Sequence, residues 1–72
     1  MEKEQFISDL AEILDEEVVN ESDVLADFEA WDSLTILSII SYAQQHFKKV
    51  LKNDDIRSLE TVGDLFAFIE NK

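Results

Sequence analysis

The chain has 72 residues, 46% of them hydrophobic and 10% aromatic, and a formal charge of −11. A chain this short holds one core and buries only about 60% of its unfolded surface, so a single domain over residues 1–72 is expected, too apolar for a disordered acidic tail. The absence of Cys and Pro, the single Gly63 and the lone His46 exclude disulfide scaffolds, thiolate metal sites, cysteine nucleophiles, glycine-rich phosphate loops and a zinc constellation.

The charge is lopsided, with twelve acids and one base in residues 1–32 and five of each in residues 33–72. Such a chain repels nucleic acid phosphates and anionic lipid and attracts basic protein surfaces, so protein partners are expected, with no nucleic acid and no membrane insertion. No apolar run approaches the roughly 20 residues that span a bilayer, and Met1-Glu2-Lys3-Glu4-Gln5 does not resemble a signal peptide. A soluble cytoplasmic monomer is the expectation.

In chain order, Phe6, Ile7, Leu10, Ile13 and Leu14 recur at helical spacing among acids, which predicts an amphipathic first helix over roughly residues 2 to 16. From Glu17 to Trp31 the periodicity dissolves. Val18, Val19, Val24, Leu25, Phe28 and Trp31 lie among polar residues there, as expected for a long loop pinned by apolar anchors and containing a functional segment or a short helical turn. Asp32 provides a cap for a second, central helix running from Ser33 to about Val50. Its predicted apolar stripe is Ile36, Ile40, Ala43, Phe47 and Val50, with Leu37 and Leu51 beside it. After a break at Lys52-Asn53-Asp54-Asp55, a short turn carries Ile56 and Leu59. Thr61-Val62-Gly63-Asp64 fits a capping box with Asp in place of Glu, opening a last helix that buries Val62, Leu65, Phe66 and Ile69. The expected fold class is all-α, a four-helix bundle of three longer helices and one short helix.

The segment from Trp31 to Ile69 resembles acyl carrier proteins, four-helix domains that bear a 4'-phosphopantetheine arm on the serine of an Asp-Ser-Leu motif. Here the motif reads Asp32-Ser33-Leu34. Phe47 follows about four turns later, Asp54-Asp55 precedes a short third helix, and Leu59-Glu60-Thr61-Val62 looks like the Ile-x-Thr-Val that opens the last helix of that family. The first 30 residues fit more loosely, as an acidic helix and a loop of suitable length. The resemblance implies that Ser33 is the attachment point, that Asp32 also assists the magnesium-dependent phosphopantetheinyl transferase, and that Leu34 borders the entrance to the core. It also implies that the apolar stripe shelters a growing chain between the helices.

The residues are consistent with that implication. A serine in the first turn of a helix exposes its hydroxyl near free N–H groups and the positive end of the dipole, which suits a phosphodiester. A prosthetic thiol also explains how a chain without Cys carries acyl or aminoacyl thioesters without being an enzyme itself. The other serines are less suited: Ser8, Ser38 and Ser41 lie inside helices, Ser58 in a short turn, and Ser22 in the loop. His46 has no partner pattern that suggests catalysis and reads as a surface or edge residue.

Departures from the family pattern bear on which carrier this is. The glycine usual just before the motif is missing, and Phe28-Glu29-Ala30-Trp31 occupies that turn. Trp-Asp-Ser looks more like stand-alone carriers outside primary fatty acid synthesis, including the D-alanyl carriers of teichoic acid assembly, which tend to have Met where this chain has Leu34. Family members of fatty acid synthesis display acids on the second helix, but from Ser33 to Lys52 there is none. A neutral face of Ser38, Ser41, Gln44 and Gln45, with Ile39 and Tyr42 nearby, is expected to dock through apolar contacts and hydrogen bonds. Ser38, Ser41, Tyr42 and Gln45 are thus the candidate partner-binding residues. A loading ligase and downstream transferases of a specialised lipid, polyketide, peptide or cell-wall pathway are the expected partners.

A second reading is an acidic helical interaction module without a cofactor, in which Ser33 is dispensable. A calcium site at Asn53-Asp54-Asp55 is a poor match, because the stretch lacks the central Gly and alternating ligands of an EF-hand.

Overall fold

The computed structural model describes residues 3–71, in the order α1 (Lys3–Leu14), a single 3₁₀ turn (Leu25–Asp27), α2 (Ser33–Phe47), α3 (Asn53–Arg57) and α4 (Val62–Asn71). This is the expected all-α arrangement of three longer helices and a short one. The only extended pairing among the described residues is an isolated bridge between Val24 and Thr61.

Both predicted long-helix ends prove too generous, for the same backbone reason. α1 stops at Leu14 because Asp15 turns left-handed at φ 56°, and the chain then closes with Glu16 N–H donating to Ala11 O at 2.9 Å. Short Asp tolerates that conformation better than most side chains. The predicted start at Glu2 lies outside the described residues. α2 stops at Phe47 because Lys48 is left-handed at φ 57°, with its N–H and that of Lys49 both directed at Ala43 O. Val50 therefore leaves the helical stripe and stands 69% exposed.

The buried face of α2 is also rotated from the expected one. Ile36, Ile39 and Ala43 are fully buried, whereas Ile40 and Phe47 are only partly so and Leu37 is 55% exposed. α3 packs on α2 and brings Ile56 into the core, so the side of the helix carrying Ile39 faces protein. Ile39 is consequently a core residue and does not belong to an outward docking face.

The loop between α1 and α2 is pinned as much by backbone as by side chains. Leu25 N–H donates to Glu60 O (2.8 Å), Val62 N–H to Asp23 O (3.0 Å) and Gly63 N–H to Glu21 O (2.9 Å), which ties residues 21–25 to the entry of α4. Of the expected apolar anchors, Val19 and Leu25 are buried and Phe28 and Trp31 pack partly against the core, but Val18 and Val24 are exposed. α4 opens on the predicted capping box: Thr61 Oγ1 accepts from Asp64 N–H at 3.1 Å, and Asp64 Oδ2 accepts from Thr61 N–H at 3.2 Å. Thr61 is the cap itself, and Val62, Leu65, Phe66 and Ile69 are all buried as expected. Around Phe6 the rings of Phe66, Tyr42 and Phe47 lie 5.4 to 6.5 Å away, closing the far end of the core.

Candidate functional site at the start of α2

Two tight turns deliver the chain to α2 without the expected glycine. Trp31 N–H donates to Phe28 O (3.1 Å) and Asp32 N–H to Ala30 O (2.8 Å), while the half-buried Trp31 and Phe28 hold the turn against the core. Among the described residues the only positive φ values belong to Asp15 and Lys48, so this approach needs no left-handed residue.

Asp32 then caps the helix. It is extended (φ −136°, ψ −177°), its Oδ1 accepts from Thr35 N–H at 3.0 Å, and its carbonyl accepts the first intrahelical bond from Ile36 at 3.0 Å. Ser33 is the first helical residue, and its side chain is exposed. Leu34 is 75% exposed and Leu37, one turn on, 55% exposed, so an apolar pair flanks the serine on the surface. Leu34 thus faces outward at the site and not into the core.

One residue at the site has no signal in the sequence. Arg57, 24 residues away at the end of α3, donates from Nη2 to Ser33 Oγ at 2.8 Å and from Nε to Asn53 Oδ1 at 2.5 Å. Only the packing of α3 on α2 brings the two together.

The other candidate positions lie further along α2. Ser38 is exposed, with its hydroxyl returned to Leu34 O at 3.1 Å, and Ser41, Gln44 and Gln45 line a shallow surface groove with Lys48 and Val50. Tyr42 points elsewhere: it is half-buried against α1 and donates to Asp9 Oδ2. Burial, then the hydrogen bond and charge of Asp9, push its phenol well above the ordinary tyrosine range. His46 is exposed and stacks on Tyr42 with ring centroids 4.5 Å apart. Among the described residues no group of three or more His, Cys, Asp or Glu is placed to hold a metal ion, and no helix is long and apolar enough to cross a membrane.

A four-helix chain that exposes a capped serine at the start of its longest helix has the form of a carrier domain. The chain belongs to the acyl carrier protein family: it is 36% identical to the acyl carrier protein of Kineococcus radiotolerans over 73 residues, which cover 93% of this chain and 90% of that one. It is 32% identical to the acyl carrier protein of an Exiguobacterium species, covering 100% of this chain and 99% of that one. The acyl carrier protein of Acidothermus cellulolyticus is 30% identical, with 99% and 92% covered. The fold is similar to the solution structure of a holo acyl carrier protein from Geobacter metallireducens, with a TM-score of 0.75, 24% identity and 96% and 82% of the two chains covered. No family model matches the chain. Membership in this family implies a 4'-phosphopantetheine prosthetic group.

Proposed function

We propose that Ser33 carries the 4'-phosphopantetheine, and that the chain, working as one cytoplasmic monomeric carrier domain and not as an enzyme, presents acyl or aminoacyl groups to partner enzymes. The observation that carries this reading is the exposed Ser33 hydroxyl at the first helical position, directly after the Asp32 cap. The residues present fit the group. A phosphodiester at Ser33 stands at the positive end of a 15-residue helix and beside the Arg57 guanidinium, both of which favour an anion. When bound, the group supplies the thiol that a chain without Cys lacks, and with it the thioester link to the cargo.

Attachment is a substitution at phosphorus. Ser33 Oγ forms a bond to the phosphorus of coenzyme A that bears the pantetheine, the pyrophosphate bond breaks, adenosine bisphosphate leaves, and the serine proton passes to the phosphopantetheinyl transferase. Asp32 holds the first turn of α2 rigid while this occurs and is a candidate contact for the transferase and its magnesium. Leu34 and Leu37 give that enzyme an apolar surface beside the serine.

The partner set is a specialised one, a loading ligase and downstream transferases of a lipid, polyketide, peptide or cell-wall pathway. Support comes from α2, whose exposed Ser38, Ser41 and Gln45 offer hydrogen bonds without charge, whereas Tyr42 is turned to Asp9 on α1. Such a face docks with little dependence on salt. If enzymes of fatty acid synthesis elongate on this chain as readily as on an acidic carrier, the specialised partner set is wrong.

Intact-protein mass spectrometry tests the attachment. Incubation with coenzyme A, magnesium and a promiscuous phosphopantetheinyl transferase is expected to add one phosphopantetheine to the wild type and none to Ser33→Ala, with an unchanged helical circular dichroism spectrum. A folded wild type that gains nothing, or a variant that gains equally, overturns the assignment and leaves the interaction module.

A further inference from the structure

Arg57 is the only arginine in a chain with seventeen acids, yet both of its hydrogen bonds go to neutral oxygens, Asn53 Oδ1 and Ser33 Oγ. Among the described residues it has no carboxylate partner, although Asp54 and Asp55 lie on its own helix. Its position is fixed from two sides. Fully buried Ile56 seats α3 on α2, and Asn53, one turn before Arg57, holds the guanidinium by its Nε–H. The fork is thus directed at the oxygen that the reading above makes an ester, and its Nη1 and second Nη2 hydrogens remain available as donors.

Neutral acceptors leave the charge of a guanidinium uncompensated, whereas a phosphodiester offers two anionic oxygens that match its paired donors. We propose that Arg57 is a positioning residue for the prosthetic phosphate: it orients the Ser33 hydroxyl before modification and engages the anionic oxygens of the phosphodiester afterwards, fixing the base of the arm. This inference rests on Ser33 being the attachment point. It predicts that the modified chain is more stable than the unmodified one through this contact, although modification adds negative charge to a chain already at −11.

The test compares thermal midpoints of the full chain before and after modification with coenzyme A, for wild type, Arg57→Gln and Arg57→Lys, each converted to completion as judged by mass. The wild type is expected to gain about 2–4 °C on modification at low salt, the range for an exposed ion pair in a domain this small, and to lose most of the gain at about 500 mM salt. In Arg57→Gln the gain vanishes or reverses, and in Arg57→Lys it is partly kept. A merely structural arginine shifts both forms of the variant equally, so a gain in Arg57→Gln equal to that of wild type overturns the proposal. If the wild type is not modified at Ser33, the attachment reading fails instead, and mass alone separates the two results.

Discussion

The Tyr42 hydroxyl donates to Asp9 Oδ2 at 2.5 Å, joining the middle of α2 to the middle of α1 across 33 residues of sequence. Asp9 accepts on its other oxygen from Gln5 at 2.9 Å, so both carboxylate oxygens have a partner. This contact makes an alkaline limit to stability. The folded chain holds the Tyr42 proton more tightly than the unfolded chain, in which tyrosine titrates near about 10. Below that pH both states are protonated and the contribution is complete. Above it the unfolded state releases its proton first, and stability declines as pH rises. Tyr42→Phe is expected to lower stability by about 0.5–1.5 kcal/mol at pH 7 and to flatten the decline above about pH 10. Urea midpoints of both proteins across that range check this, and parallel curves would count against it.

Ile39 and Leu37 test the rotated face of α2. Ile39 is completely buried and Leu37 is 55% exposed. Ile39→Ala is expected to cost about 2–5 kcal/mol in unfolding free energy, and Leu37→Ala about 0.5 kcal/mol or less. Comparable costs for both would mean that the helix is turned otherwise.

The reciprocal cap at α4 places Thr61 and Asp64 in one unit. Thr61→Ala is expected to lose about 1 kcal/mol, and Asp64→Ala a similar amount. Each side chain makes one bond, to the other residue's backbone N–H, and both bonds close the same first turn. Once one is lost the turn frays and the second is worth less, so the double variant should lose less than the sum. Additive losses in a double-mutant cycle would show that the two act separately.

Gly63 lies in the first turn of α4, where Ala normally gains up to about 1 kcal/mol over Gly. Here a Cβ would meet Glu21 Cγ at 3.0 Å and Glu21 O at 3.3 Å. Glu21 cannot retreat freely, since its carbonyl accepts from Gly63 N–H and its Oε1 from Lys3 Nζ at 2.8 Å. Gly63→Ala is therefore expected to destabilise the chain, and a rise in its thermal midpoint would contradict the close approach.

Lys48 ends α2 at φ 57°, a conformation that costs a long side chain about 1 kcal/mol. Lys48→Gly should raise stability by about 0.5–1 kcal/mol, despite the greater freedom of glycine in the unfolded chain. The same unfolding measurement decides it, and a loss would point to a role for the lysine side chain.

Much of the fold is legible in particular residues. The 3.6-residue recurrence of Phe6, Leu10 and Leu14 marks α1, and Thr61 and Asp64 mark the start of α4, because a capping box is a local arrangement. The C-terminal ends of α1 and α2 were less legible. Each is closed by a non-glycine residue in the left-handed region, and neither Asp15 nor Lys48 carries the glycine signal that normally announces such a stop. The turn at Phe28-Glu29-Ala30-Trp31 is similar, since its hydrogen bonds replace a glycine that pattern alone would require.

The sequence by itself determined the helical class and the capped serine at Asp32-Ser33-Leu34, because helix periodicity and capping are set by residues close together in the chain, and its resemblance to acyl carrier proteins pointed to the family. Tertiary structure decided which side of α2 is buried, that Tyr42 turns to Asp9, and that Arg57 reaches Ser33. Those depend on how α1 and α3 lie against α2. Packing between helices joins residues 24 and 33 positions apart that no local preference connects.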